Sequence, residues 1–295
     1  MKTNKALNYL IPLLFLSALI STATGLFSSG GPGTFTFTSL HGKQVEMYGY
    51  GVYQYDTHFR APISRGTDAI TLFVGLPVLL VAFLKYRKGS LKGAFLLAGI
   101  LTYFVYNSAS MAMGISYNFL LLVYIIYFSS SFFSLILAIF SIKFDELPEH
   151  ITPAYPYRGA AYLLFFAGLS VFVWLSEILG PLFAGTIYPA GLDTYTTEVT
   201  YVIDLGLIPP ACYIAGFFLL RRKSAGYVLS FMMLTLLTVI GCVVISQSIF
   251  QAAEGIFLSP GQYIGFTGIF TIMGIIAFRL LFLMDKNTME AKMKA

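Results

Sequence analysis

Charge is what this sequence has least of. Of 295 residues, 11% are Asp, Glu, Lys or Arg, where soluble domains run near a quarter. With 57% hydrophobic residues and a mean hydropathy of +0.79, the chain has too little polar surface to cover a water-exposed globule. A soluble fold is excluded and a polytopic membrane protein indicated. Cysteine is scarce as well. Cys212 and Cys242 lie inside apolar runs without CxxC spacing, which argues against a disulfide framework, a zinc knuckle or a thiol relay. Both read as small buried core residues. The three histidines, His41, His58 and His150, all fall between apolar runs, so a bis-His haem inside a bundle is excluded and a three-His metal site disfavoured. No lysine occupies the middle of an apolar run, and GxSxG, HExxH and P-loop motifs are missing. The expectation is a protein without a cofactor or resident metal.

Eight segments are apolar and long enough to cross a bilayer. Their expected limits are Leu7–Phe27, Asp68–Leu84, Gly93–Gly114, Phe119–Ile142, Gly159–Gly180, Val199–Leu220, Gly226–Phe250 and Tyr263–Met284. The fold class is therefore an all-α integral membrane bundle of eight transmembrane helices in one domain. The first segment, with Lys2 and Lys5 ahead of a Leu-rich run, also has the form of a signal peptide. Its apolar run continues past Ala23 to Phe27, which favours a retained helix.

The net charge of +5 is not a nucleic-acid stripe: the basic residues stand in short clusters beside apolar runs. All of the 18 Lys and Arg except Lys43, Arg60 and Arg65 belong on one side if the N-terminus is inside. The positive-inside rule then puts both termini in the cytoplasm of a plasma-membrane protein and makes residues 28–67 an extracytoplasmic loop. That loop opens with a Gly/Ser/Pro turn and alternating Thr and Phe, SSGGPGTFTFTS, the pattern of a short extended hairpin capping the bundle. Tyr48 and Tyr50 behind it suit an interfacial aromatic belt.

Short basic turns, KYRKGSLKG and RRKSAG, predict antiparallel helix neighbours, and Pro77, Pro209 and Pro210 predict kinks in the second and sixth spans. Thr67-Asp68, Pro77, a basic turn and Gly93 echo Ile203-Asp204, Pro209-Pro210, a basic turn and Gly226. This raises a parallel repeat of four plus four helices, with halves 1–146 and 155–295.

The residues with chemistry to offer are few. Asp56, His58, Arg60, Arg65 and Asp68 crowd the stretch from Tyr48 to Thr71, and Glu177 and Asp204 lie near the outer ends of the fifth and sixth spans. Hydrocarbon cannot solvate such groups, so each needs a partner, and an arginine is the expected one for Glu177 and Asp204. Gln247, Gln251 and Glu254 follow i, i+4, i+7 spacing, a polar stripe converging on the same outer pocket or, for Glu254, a solvated helix end. Asn107 is too deep for water and should bond a neighbouring helix. Trp174 reads as an interface anchor or core ring.

The expected ligand-binding set is thus Asp56, His58, Arg60, Arg65, Asp68, Glu177, Asp204 and Glu254, serving a small solute or ion within the lipid bilayer. Two other classes stay open. One is an enzyme using His58 with Asp56 or Asp68 at the outer face; the other is an assembly or sensing protein in which the charges are struts. RGTDAITLFVGLP, SYNFLLLVY and TYVIDLGLIPP with its following RRK resemble a group of bacterial multi-pass membrane proteins to which no activity attaches. The resemblance implies a bacterial-type cell membrane and no mechanism.

Overall fold

The computed structural model describes residues 3–144, 147, 151–152, 154–186 and 188–288; Lys2, His150, Lys292 and Lys294 lie outside them. It contains eight helices long and apolar enough to span a membrane. These are α1 Leu7–Phe27, α2 Arg60–Arg87, α3 Leu91–Gly114, α4 Leu121–Phe140, α5 Tyr157–Ala184, α6 Val199–Leu220, α7 Ser224–Ala253 and α8 Pro260–Asn287. The side where α1 ends and α2 begins is called the loop face here, and the opposite side the terminal face.

The turns explain the neighbour order. Ser90 caps α3, its Oγ accepting from the Gly93 N–H at 3.1 Å. A Cβ on Gly93 would strike the backbone at Lys85 and Tyr86. Gly226 does the same work between α6 and α7, backing onto Phe218 and Leu219. Helices α2–α3 and α6–α7 are thereby held as close antiparallel pairs. At the centre α3 packs along α7, with Gly99 against Thr235, and α7 meets α8 where Gly241 faces Gly274. The halves differ in two contacts: α1 packs along α4 and α2 along α7, whereas the corresponding pairs α5–α8 and α6–α3 are sparse. α1 is part of the core, with Leu7, Leu14 and Ala18 fully buried.

Several helices change pitch. α2 widens to a π-turn at Thr71–Gly75, just ahead of Pro77, whose missing N–H and ring would otherwise crowd the preceding turn. α5 tightens to a 3-10 turn at Val171–Val173, and α8 opens with a π segment at Tyr263–Gly268. α6 runs through Pro209 and Pro210 as one helix.

On the loop face, β1 (Phe35–Thr38) pairs antiparallel with β2 (Gln44–Met47), Phe35 opposite Met47 and Thr38 opposite Gln44. The chain then folds back, Thr57 bridging Met47 and the His58 N–H donating to the Glu46 carbonyl. Three expectations need correction. α2 begins at Arg60, so the loop ends at residue 59 rather than 67, because Arg60 and Arg65 find partners within the protein. Tyr48 is a buried network member, not a belt residue. Cys242 is exposed on the outside of α7, and of the two cysteines Cys212 alone is buried.

Candidate functional site

A cavity of about 690 Å³ opens between α2, α3, α6, α7 and α8. It reaches from Lys43 and Asp193 in the loop-face segments down to Tyr103, Ile240 and Phe270 inside the bundle. Sparse contact between α3 and α6 leaves this volume between them, and Trp174 of α5 closes one side of it against Phe266 of α8. Ile63, Met111, Val243, Val244 and Phe266 make much of the wall apolar.

Asp204 lies about 7 Å down α6 from Val199, at helical rise, and lines this cavity. Its Oδ1 accepts from the Tyr106 hydroxyl and its Oδ2 from the Trp174 indole N–H, both at 2.9 Å. The indole is oriented by stacking: ring centroids of Tyr201 and Phe266 lie 5.0 and 5.5 Å from Trp174. The 3-10 turn immediately before Trp174 and the π segment holding Phe266 are the irregularities that bring these rings together. The expectation of an arginine partner for Asp204 is corrected. Two neutral donors hold the carboxylate, and no described cation lies within ion-pair distance of it.

Nearer the mouth, Arg60 pairs with Glu198, the residue just before α6, and its guanidinium stands 4.3 Å over the Tyr195 ring. The Tyr195 hydroxyl donates to Asp56 Oδ1 at 2.9 Å, and the Ser116 backbone N–H donates to the same oxygen at 2.9 Å. Asp56 Oδ2 is buried without a hydrogen-bond partner. Burial raises the Asp56 carboxyl above its ordinary value, against the lowering pull of Ser116, Tyr195 and Arg60. Burial and the neighbouring Asp56 raise the Tyr195 phenol, against the lowering pull of Arg60. Lys43 and Asp193 form an ion pair of 2.6 Å at the rim. Gln247 and Gln251 line the α7 side, donating to Thr67 Oγ1 at 2.9 Å and toward the Phe59 carbonyl at 3.5 Å.

The expected site residues therefore separate. Asp56, Arg60 and Asp204 line the cavity; His58, Arg65, Asp68, Glu177 and Glu254 do not. Arg65 donates to Glu254 Oε1 at 3.2 Å, to the Tyr48 hydroxyl at 2.7 Å and to the Leu26 carbonyl, tying α1, α2 and α7 to the loop. Asp68 is fully buried on another side of α2, accepting from Tyr53 at 2.6 Å, with Gly25 of α1 pressed against it. The ring of His58 leans toward Tyr48, its Nδ1 is buried without a partner, and neither Asp56 nor Asp68 bonds to it.

The expectation that Glu177 joins an arginine is also corrected: among the described residues it forms no ion pair. It lies about 30 Å along α5 from Tyr157, the thickness of a hydrocarbon layer, in a segment without buried residues. Asn107 bonds Thr71 and Tyr127, joining α3 to α2 and α4.

Glu198, Tyr195 and Tyr106 were missed as site residues. The run of acids at 193, 198 and 204 ahead of and within α6 was the available signal for Glu198. Nothing separates Tyr106 from the other 19 tyrosines in the sequence. Comparison with protein-family models, curated proteins and solved structures finds no match for this chain.

Proposed function

We propose that this protein binds a small solute in the loop-face cavity and carries it across the cell membrane. The observation behind the reading is the cavity itself. It is of ligand size, runs from the loop face into the span region, and has a carboxylate at depth held by neutral donors. Irregular turns in α5 and α8 next to the cavity support the reading, since transporter sites often lie where helices depart from regular pitch. The distribution of Lys and Arg supports an extracytoplasmic loop face, cytoplasmic termini and residence in the plasma membrane. The burial of α1 side chains and the seat of Gly25 on Asp68 support retention of the first helix.

Two variants test the reading. Val244→Phe fills the cavity from α7, and Asp204→Asn removes its deep charge while keeping the shape. Both should remain monodisperse in detergent and lose solute-induced thermal stabilisation and uptake. Loss of folding in both, with no effect of any solute on the wild-type protein, would leave a purely structural network.

A further inference from the structure

The protein's own ion pairing decides which charges the cavity offers. Its two basic side chains are engaged, Lys43 by Asp193 and Arg60 by Glu198, while Asp56 and Asp204 have no described cation within ion-pair distance. Several hydrogen-bond donors are engaged in the same way, although the hydroxyls of Ser64, Thr200 and Tyr201 line the cavity without a hydrogen bond to the described residues. Tyr106 and Trp174 donate to Asp204, Tyr195 to Asp56, and the hydroxyls of Ser110 and Ser248 to carbonyls of their own helices. Gln247 and Gln251 each direct an amide N–H at the protein. What remains to a ligand is acceptor capacity and negative charge, beside a few neutral hydroxyls. An anion entering here would meet carboxylates and few donors.

We propose that the ligand is a small organic cation, an amine or quaternary ammonium, whose charged head lies at Asp204 while its apolar body lies against the Val244, Phe266 and Phe270 side of the cavity. Asp56 adds a second carboxyl group to the lining, its Oδ2 buried and without a hydrogen-bond partner. The aromatic rings favour the same class, because the face of a tyrosine or phenylalanine attracts a cation. A bare metal ion fits less well: much of the wall is apolar, and no group of three or more His, Cys, Asp or Glu among the described residues could hold one. The proposal rests on reading the cavity as a solute site, and the experiment separates the two.

Trp174 is the single tryptophan of the chain and donates to Asp204, so its emission reports on this cavity alone. Purified protein in lipid nanodiscs is titrated with benzyltrimethylammonium, benzenesulfonate and benzyl alcohol, three soluble aromatics differing in charge. The ammonium should change Trp174 emission saturably and bind at least tenfold more tightly than the other two. Asp204→Asn should weaken it by tenfold or more, and Asp204→Glu should retain it. Equal or tighter binding of the sulfonate or the alcohol to wild-type protein, a comparison that needs no variant, overturns the cation assignment and leaves the cavity reading standing. Silence from all three overturns both.

Discussion

Asp68 and Asp204 begin alike. Each lies about one to two turns into a helix that runs from the loop face, each precedes a proline, and each accepts from a tyrosine hydroxyl. Their surroundings then diverge. Asp68 is sealed by Tyr53 and by α1, whose Gly25 leaves no room for another atom, and its Oδ1 has no partner. Asp204 has both oxygens satisfied and borders an open volume. The difference follows from helix packing: α1 and α7 both close onto α2, the helix of Asp68, whereas α3 makes only sparse contact with α6, the helix of Asp204. A carboxylate in a span acts as a strut where a neighbouring helix fills the space beside it, and is left bordering open volume where that helix stands away.

The widest separation should come from two glycines. A Cβ on Gly25 would land on the Asp68 carboxylate and the Tyr53 hydroxyl, whereas one on Gly206 of α6 meets nothing within 4 Å. Gly25→Ala should lose about 2–3 kcal/mol by overpacking, and Gly206→Ala should be neutral or gain up to about 1 kcal/mol of helix propensity. Thermal unfolding in detergent reads both; equal shifts would erase the contrast. Next, Tyr53→Phe leaves Asp68 without its donor and should cost about 1–3 kcal/mol, with ammonium binding at Trp174 unchanged. A matching loss of binding would mean that the two aspartates act as one site.

Smaller still is the Arg65–Glu254 pair, whose side chains are 25% and 30% exposed. A double-mutant cycle on Arg65→Gln and Glu254→Gln should give a coupling of about 0.5–1 kcal/mol, with no change in binding. The smallest effect is in pH. Burial raises Asp56, so the folded protein holds that proton more tightly than the unfolded chain. The contribution is complete below about pH 4 and is lost as pH rises through the folded value. Asp56→Asn, which resembles the protonated carboxyl, should match wild type in acid and become the more stable of the two at neutral pH. A gap that closes instead of widening would reverse the assignment.

How much of this was legible in the sequence follows from what decides each feature. Span positions come from local hydropathy, and the eight read from the sequence coincide with α1–α8 apart from their ends. The hairpin was legible from Thr/Phe alternation, and the deep Asn107 from its depth alone. Partner choice was not legible, because it depends on which helices meet. Arg60 found Glu198 and Arg65 found Glu254, and Asp204 was left to Tyr106 and Trp174, residues 98 and 30 positions away. The 3-10 turn that presents Trp174 leaves no mark in composition, and neither does the sparse packing of α3 on α6 beside the cavity.

The most direct test of the contrast is chemical access. In a background with Cys212 and Cys242 replaced by Ala, single cysteines are placed at Ser248, which lines the cavity, and at Ser21, which is buried on α1 one turn from Gly25. Intact cells are then treated with a membrane-impermeant thiol reagent. The account predicts that Ser248→Cys is labelled from outside, that benzyltrimethylammonium protects it, and that Ser21→Cys is not labelled. Labelling of Ser248→Cys only in inside-out vesicles, or equal labelling at the two positions, would contradict it.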